Sequence, residues 1–256
     1  MDKKEILSNK LKVKIYKSRL QMGADAAEEI SQRINSLLLQ KEFINIVFAA
    51  APSQNEFLTC LKNKRVDWSR INAFHMDEYI GLDKDAPQLF GNYLKEMLFD
   101  KVPFGGVYYL NGDINRQEEE CKRYSELLQK YPTDIVILGI GENTHIAFND
   151  PHVADFKDKK VVKIVDLDEK NRLQQVDPAD KICFNRLEEV PTHAITLTVP
   201  SLFKATYAYA IAPGQNKADA ISYTLNRDVS EKYPSTILRE HPNAILYIDE
   251  ASASKI

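Results

Sequence analysis

The chain has little cysteine. Cys60, Cys121 and Cys183 are odd in number and widely spaced. That excludes a disulfide framework and a zinc ribbon, which need paired or closely spaced thiols. Reduced, mostly buried thiols in a cytoplasmic protein are the expectation. There is no block of five or more like charges, and the net charge is −3. Nothing therefore points to nucleic acid or to an anionic membrane as partner, although isolated basic residues remain free to hold a phosphate. No apolar stretch exceeds strand length, so no transmembrane helix is expected. The opening Met1-Asp2-Lys3-Lys4-Glu5 lacks the apolar segment of a signal peptide. Repeats, low-complexity linkers, a Walker loop, a nucleophile elbow and metal-spaced His/Cys clusters are also missing.

Apolar residues make up 44% of 256 positions, enough for a sizeable core. No composition shift divides the chain, so residues 1–256 read as one domain. Apolar strands and amphipathic helices alternate. Residues 23–40 read as a helix with Ala26, Ala27, Ile30, Ile34, Leu37 and Leu38 on one stripe. Strands are expected at 43–50, 71–76, 134–140, 161–165, 193–199, 207–212 and 243–249, and helices at 88–99, 116–130 and 217–225. The pattern predicts an α/β fold: a three-layer, open, mostly parallel sheet with helices on both faces, a modified Rossmann-like arrangement. Residues 152–192 are polar and weakly periodic, and read either as a flap or as a plain surface excursion.

Ligands of open parallel sheets bind beyond the carboxyl ends of strands, and four points stand there. Ala50-Ala51-Pro52-Ser53-Gln54-Asn55 joins a strand to a helix. Its place suits an anion at a helix N-terminus, but Pro52 removes an amide donor and no glycine is present. The alternative is an ordinary helix start, with Ser53 as cap and Glu56 completing a capping box. Asp77-Glu78 follows the strand ending at Met76. One carboxylate there is placed to be a general base; otherwise both are turn and capping acids. His75 alternates on that strand and either joins the site or faces away. Gly141-Glu142-Asn143-Thr144-His145 leads to Asp150, and a carboxylate on one imidazole nitrogen frees the other to move a proton. A structural histidine is the plain alternative. Gly214-Gln215-Asn216-Lys217 places Lys217 near a helix N-terminus, where a cation either meets an anion or is simply solvated.

Phe74-His75-Met76-Asp77-Glu78-Tyr79, His145-Ile146-Ala147-Phe148-Asn149-Asp150-Pro151 and Gly214-Gln215-Asn216-Lys217 together resemble the glucosamine-6-phosphate deaminase (isomerase) family. The resemblance runs from about residue 12 to 250 and implies the corresponding fold. It implies conversion of an aminosugar 6-phosphate, of the glucosamine or galactosamine series, and water to a ketose 6-phosphate and ammonia. No metal or organic cofactor is implied, and the partner is a small sugar phosphate, in a chain that could assemble as a homo-oligomer. By the same resemblance Asp77 is the base acting between C2 and C1, and His145 opens the ring. Asp150 stands where the family has a glutamate paired with the histidine, and Asn143 where some members have an acid. Lys217 holds phosphate, and Ala51 and Ser53 belong to the phosphate turn. For a further phosphate contact, Arg172 and Lys181 are the candidates. Three departures stand out. The turn reads Ala50-Ala51-Pro52-Ser53-Gln54 where the family has T-G-G-T-P or T-G-S-T-P. Thr144 replaces a glycine at a position expected to need positive φ. Asp150 is one methylene short, which predicts a longer contact to His145. The residues of the allosteric N-acetylaminosugar-phosphate site are not evident after Pro151. A non-catalytic sugar-phosphate binder and a 6-phosphogluconolactonase-like hydrolase are the alternative functions.

Overall fold

In chain order the elements are β1 (Lys4–Ser8), β2 (Leu11–Tyr16), α1 (Arg19–Leu38), β3 (Ile44–Phe48), α2 (Asn55–Leu61), β4 (Ile71–His75), β5 (Asp77–Tyr79) and α3 (Phe90–Leu94). They continue with β6 (Gly106–Tyr108), α4 (Gln117–Lys130), β7 (Ile135–Leu138), β8 (Val162–Asp166), α5 (Glu169–Gln174) and β9 (His193–Leu197). The last are α6 (Val199–Phe203), β10 (Tyr207–Ile211), α7 (Ala218–Asn226) and β11 (Ala244–Asp249). This computed structural model describes residues 4–256, so the reading of the chain start at residues 1–3 lies outside it. Among the described residues no helix is long and apolar enough to cross a membrane.

Eight strands form one sheet in the order β1-β2-β11-β10-β7-β3-β4-β6. All neighbours are parallel except the β1–β2 pair. The expected α/β sheet is therefore present. Strand residues alternate between two cores, as period-two geometry requires. Ile44, Ile46, Phe48, Ile71, Ala73, Ile135 and Ile137 face α1 and α2. Val47, Phe74, Val136, Leu138, Ala208 and Ala210 face the opposite way, toward α4 and α7. The predicted α1 stripe is buried throughout. The helix nevertheless begins at Arg19, capped by Ser18, and Gly23 lies inside it. A Cβ on Gly23 would come within 2.7 Å of Glu56 and 2.8 Å of the Phe57 amide nitrogen. The glycine thus permits α1 and α2 to touch and does not mark a helix end.

The sequence did not reveal a second sheet, β5-β9-β8, which is antiparallel throughout. The strands expected at 161–165 and 193–199 belong to it and not to the main sheet. Met76 alone connects β4 to β5, and its carbonyl accepts from the Leu197 amide at 2.8 Å. Segment 152–192 supplies β8, α5 and the buried Phe184 and Val190 of a third core. Four smaller differences also appear. The strands β1, β2 and β6 were unforeseen, and so were helices α5 and α6. The helix expected at 88–99 starts at Phe90 and loosens into a π turn over Lys95–Phe99. Ser53 caps nothing: Pro52–Gln54 forms a 3-10 turn ahead of α2, and neither turn nor helix has a side-chain cap. Glu56 is used elsewhere, on Arg19.

Candidate active site

A cleft of about 270 Å³ opens beyond the carboxyl ends of β3, β4, β7 and β10. Ala51, Ser53, Asp77, His145 and Lys217 all line it. Asn143 and Asp150 are not on its wall; they stand behind His145. Arg19, Gln174 and Gln175 also line it and were not anticipated. The volume suits a small molecule.

The turn after β7 is shaped around the imidazole. A Cβ on Gly141 would lie 2.1 Å from His145 Cε1 and 2.3 Å from both ring nitrogens, so only glycine lets the ring fold over the turn. The loop closes by Thr144 N–H donating to Gly141 O and Gly141 N–H donating to His145 O, both at 2.9 Å. Thr144 then sits at φ +73° and Ala147 at φ +48°. The predicted positive φ at Thr144 is thus real, and a β-branched residue there stores strain of order 1–3 kcal/mol. Its hydroxyl is buried without a partner.

His145 Nδ1 lies 2.7 Å from Asn143 Oδ1 and 3.2 Å from Asp150 Oδ1. Both neighbours are acceptors, so Nδ1 carries the proton. In the neutral ring Nε2 is then left with a lone pair. The shorter aspartate has kept its contact with the histidine, though the closer partner is the amide. Asn143 is itself locked. Its Oδ1 also accepts from His145 N–H at 3.0 Å, and its Nδ2 donates to Asp150 Oδ1 at 2.9 Å and Asp168 Oδ2 at 2.8 Å. Asp150 further accepts from Asn171 Nδ2 and the Asp168 amide. Burial pushes the Asp150 carboxyl up, but these donors, His145 first, outweigh it and hold it below the ordinary value. Asp168 and Asn171 belong to the start of α5 and were missed in the sequence. The only signal was an Asp ahead of a short helix, where Asp168 indeed caps α5.

Asp77 and Glu78 are adjacent but differ in surroundings. Glu78 accepts from the amides of Tyr79, Phe90 and Gly91, so it caps α3 as the plain reading supposed. Burial still raises it to about 7. No side-chain hydrogen bond reaches the Asp77 carboxyl among the described residues; it faces the cleft, and burial and then the Glu78 charge push it well above the ordinary value. His75 faces away. Leu110 N–H donates to its Nε2 and its Nδ1 donates to Asp77 O, which fixes a neutral ring. Burial lowers that histidine to about 4.

The other end of the cleft is cationic. Among the described residues nothing gives the Lys217 ammonium a hydrogen bond or ion pair, and burial lowers it to about 8 against the pull of Glu142. Ser53 Oγ accepts from Gln54 Nε2 at 3.0 Å. Arg172 and Lys181 do not reach the cleft. Arg172 donates to the Leu187 and Val190 carbonyls, and Lys181 to Glu96 on the surface. Arg19 stands there instead, held by Glu56 and the Pro52 carbonyl. Asp150, His152 and Asp168 bring ligand atoms within 4.8 Å of one another. The two carboxylates are occupied by the donors described above, however, and His152 is paired with Asp166 at 2.8 Å.

The chain is similar in sequence and in fold to known proteins. The family model of glucosamine-6-phosphate isomerases/6-phosphogluconolactonase matches residues 17–247. A glucosamine-6-phosphate deaminase of Bacillus cereus (strain B4264) is 34% identical over 230 residues, covering 90% of this chain and 85% of that protein. One from Bacillus cytotoxicus is 38% identical over 194 residues, covering 76% and 71%. Among solved structures, a monomeric glucosamine-6-phosphate deaminase superposes with a TM-score of 0.84 at 25% identity, covering 95% of this chain and 99% of the other. A 6-phosphogluconolactonase from Trypanosoma brucei superposes at 0.77 with 17% identity, covering 99% and 100%, a likeness of fold alone.

Proposed function

The chain belongs to the family of glucosamine-6-phosphate isomerases and 6-phosphogluconolactonases, and within it we propose that it is an aminosugar-6-phosphate deaminase. The observation that carries this reading is the polarity of one cleft: a buried carboxylate at one end and an ammonium at the other, both without a side-chain partner among the described residues, and an oriented imidazole on the same wall.

The phosphate of a hexosamine 6-phosphate, of the gluco or galacto series, lies toward Lys217 and Ser53. The deprotonated Nε2 of His145 takes a proton from the C1 hydroxyl and returns one to the ring oxygen as the ring opens. Asp77 then removes the C2 proton and delivers it to C1. The resulting C2 imine is hydrolysed by water to the ketose 6-phosphate and ammonia. A base works best when its pKa lies near the working pH, and the raised Asp77 carboxyl is consistent with that demand. A lactonase needs no base at C2, so the buried Asp77 favours the deaminase over that alternative. The glycine-free turn at 50–53 is one of the three departures of this chain from the family pattern, and it bears on how phosphate is held rather than on the proton transfers.

The test is ammonia release from glucosamine 6-phosphate and galactosamine 6-phosphate, with acid release from 6-phosphogluconolactone in parallel. Ammonia release that disappears in Asp77→Asn is expected. Lactone hydrolysis insensitive to Asp77→Asn, or phosphosugar binding with no ammonia, would overturn the proposal.

A further inference from the structure

We propose that Arg19 is a specificity residue of the cleft, contacting the substrate phosphate in place of the backbone amides that a glycine turn would present. This rests on the aminosugar-phosphate reading above.

The turn at 50–53 is poorly equipped to cradle an anion. Pro52 has no N–H, and the Gln54 amide is already spent on the Ala51 carbonyl at 2.9 Å. Something else must supply directed donors, since Lys217 offers charge but little geometric preference. Arg19 and Lys217 are the two Lys/Arg side chains on the cleft wall among the described residues.

Arg19 is delivered and aimed by its surroundings. The α1–α2 contact at Gly23 brings the first turn of α1 beside Glu56. Glu56 then takes the guanidinium side-on, Oε1 accepting from Nε at 2.9 Å and Oε2 from Nη2 at 3.0 Å. The Pro52 carbonyl accepts from Nη2 at 2.9 Å. A guanidinium has five N–H groups. Three are used here, and among the described residues no acceptor meets the two on Nη1. The side chain is about two-fifths exposed, so these donors are open to solvent in the cleft mouth. The guanidinium is thus immobilised before ligand arrives, and the Pro52 carbonyl that anchors it belongs to the very turn that lacks amide donors. Arg19 also lies on α1, outside every segment of the chain that carries the other cleft residues.

The experiment measures two things on the full chain at fixed ionic strength: steady-state ammonia release from the accepted hexosamine 6-phosphate, and calorimetric binding of inorganic phosphate. Arg19→Gln is expected to raise KM and the phosphate Kd by tenfold or more and to change kcat less than threefold. Arg19→Lys should restore only part of the loss, because a point charge cannot reproduce the fork. Glu56→Gln, which removes the aim but leaves the cation, should raise both constants by a smaller factor. Thermal melting of each variant checks folding; if Arg19→Gln melts early, the comparison of Arg19→Lys with Glu56→Gln decides. KM and Kd within twofold of wild type in Arg19→Gln, or an equal fall in kcat, overturns the role of Arg19. So does a wild-type protein that does not bind phosphate. Phosphate binding that depends on Arg19 without ammonia release leaves Arg19 standing and removes the deaminase reading.

Discussion

Asn143 offers the sharpest quantitative test, because its amide bridges two carboxylates. In Asn143→Asp an oxygen would replace Nδ2 at 2.9 Å from Asp150 Oδ1 and 2.8 Å from Asp168 Oδ2. At an effective dielectric constant of about 20, each such contact between unit charges costs roughly 6 kcal/mol. The folded protein escapes most of that by binding one proton among the three acids. Holding a proton at pH 7 on a group with an ordinary pKa of about 3.9 costs roughly 4 kcal/mol, and at pH 5 roughly 1.5 kcal/mol. One of the two amide hydrogen bonds is lost as well, about 1 kcal/mol. The sign follows from linkage. The folded-state pKa of the new cluster is raised, so the variant's deficit is small at low pH and grows as pH rises above the unfolded carboxyl value. Urea unfolding should therefore place Asn143→Asp roughly 5 kcal/mol below wild type at pH 7 and about 2 to 3 kcal/mol below at pH 5. Asn143→Ala, which adds no charge, should show a deficit that does not move over this range. A deficit for Asn143→Asp that stays constant within about 1 kcal/mol between the two pH values would refute the bridging assignment.

Other consequences are as direct. Asp77→Asn should cut ammonia release by at least about a thousandfold while leaving the phosphosugar Kd within a few-fold, as measured by single-turnover kinetics and calorimetry. Gly141→Ala places a methyl 2.1 Å from the imidazole; the ring must move, so kcat should fall by roughly a hundredfold, since misplacement by an ångström is that costly. Retention of full kcat would show that His145 orientation is not used. Burial in the cleft lowers the Lys217 ammonium to about 8. Its folded value lies below the unfolded one, so this group makes stability rise with pH between about 8 and the ordinary lysine value near 10.4, measurable by chemical unfolding. Over the same rise KM for the phosphosugar should climb as the ammonium is lost, and Lys217→Gln should flatten that limb.

The main sheet was legible because its strands are short apolar runs bounded by turns. The runs at 43–50, 134–140 and 207–212 became β3, β7 and β10 with one or two residues trimmed at the ends. The strands β1 and β2 were not legible, since Lys4 and Glu5 interrupt the first and Lys12 and Lys14 the second. The antiparallel sheet was hidden for a different reason. Nothing local tells Asp77-Glu78-Tyr79 to pair with residues 194–196, and that choice is made by packing against Phe148 and Phe184. For the site, the four strand-end segments pointed to the cleft because ligand position in this architecture follows from topology. Arg19 and Asp168 escaped notice because their partners lie far off in sequence. Arg172 was misplaced for the complementary reason: an arginine near a helix end carries no local mark of which way it faces.

The junction at Met76 has a geometric consequence. The Asp77 carboxyl is mounted on the small sheet, whereas Ser53 and Lys217 are carried by the large one. One peptide unit and its bond to Leu197 hold the two mountings at a set separation. Under the proposed reaction the cleft is then a ruler. With phosphate seated at the cationic end, only the two carbons between which the proton moves, C1 and C2, come within reach of the carboxylate. A phosphosugar one carbon shorter would be held and not consumed, rejected by reach and not by affinity.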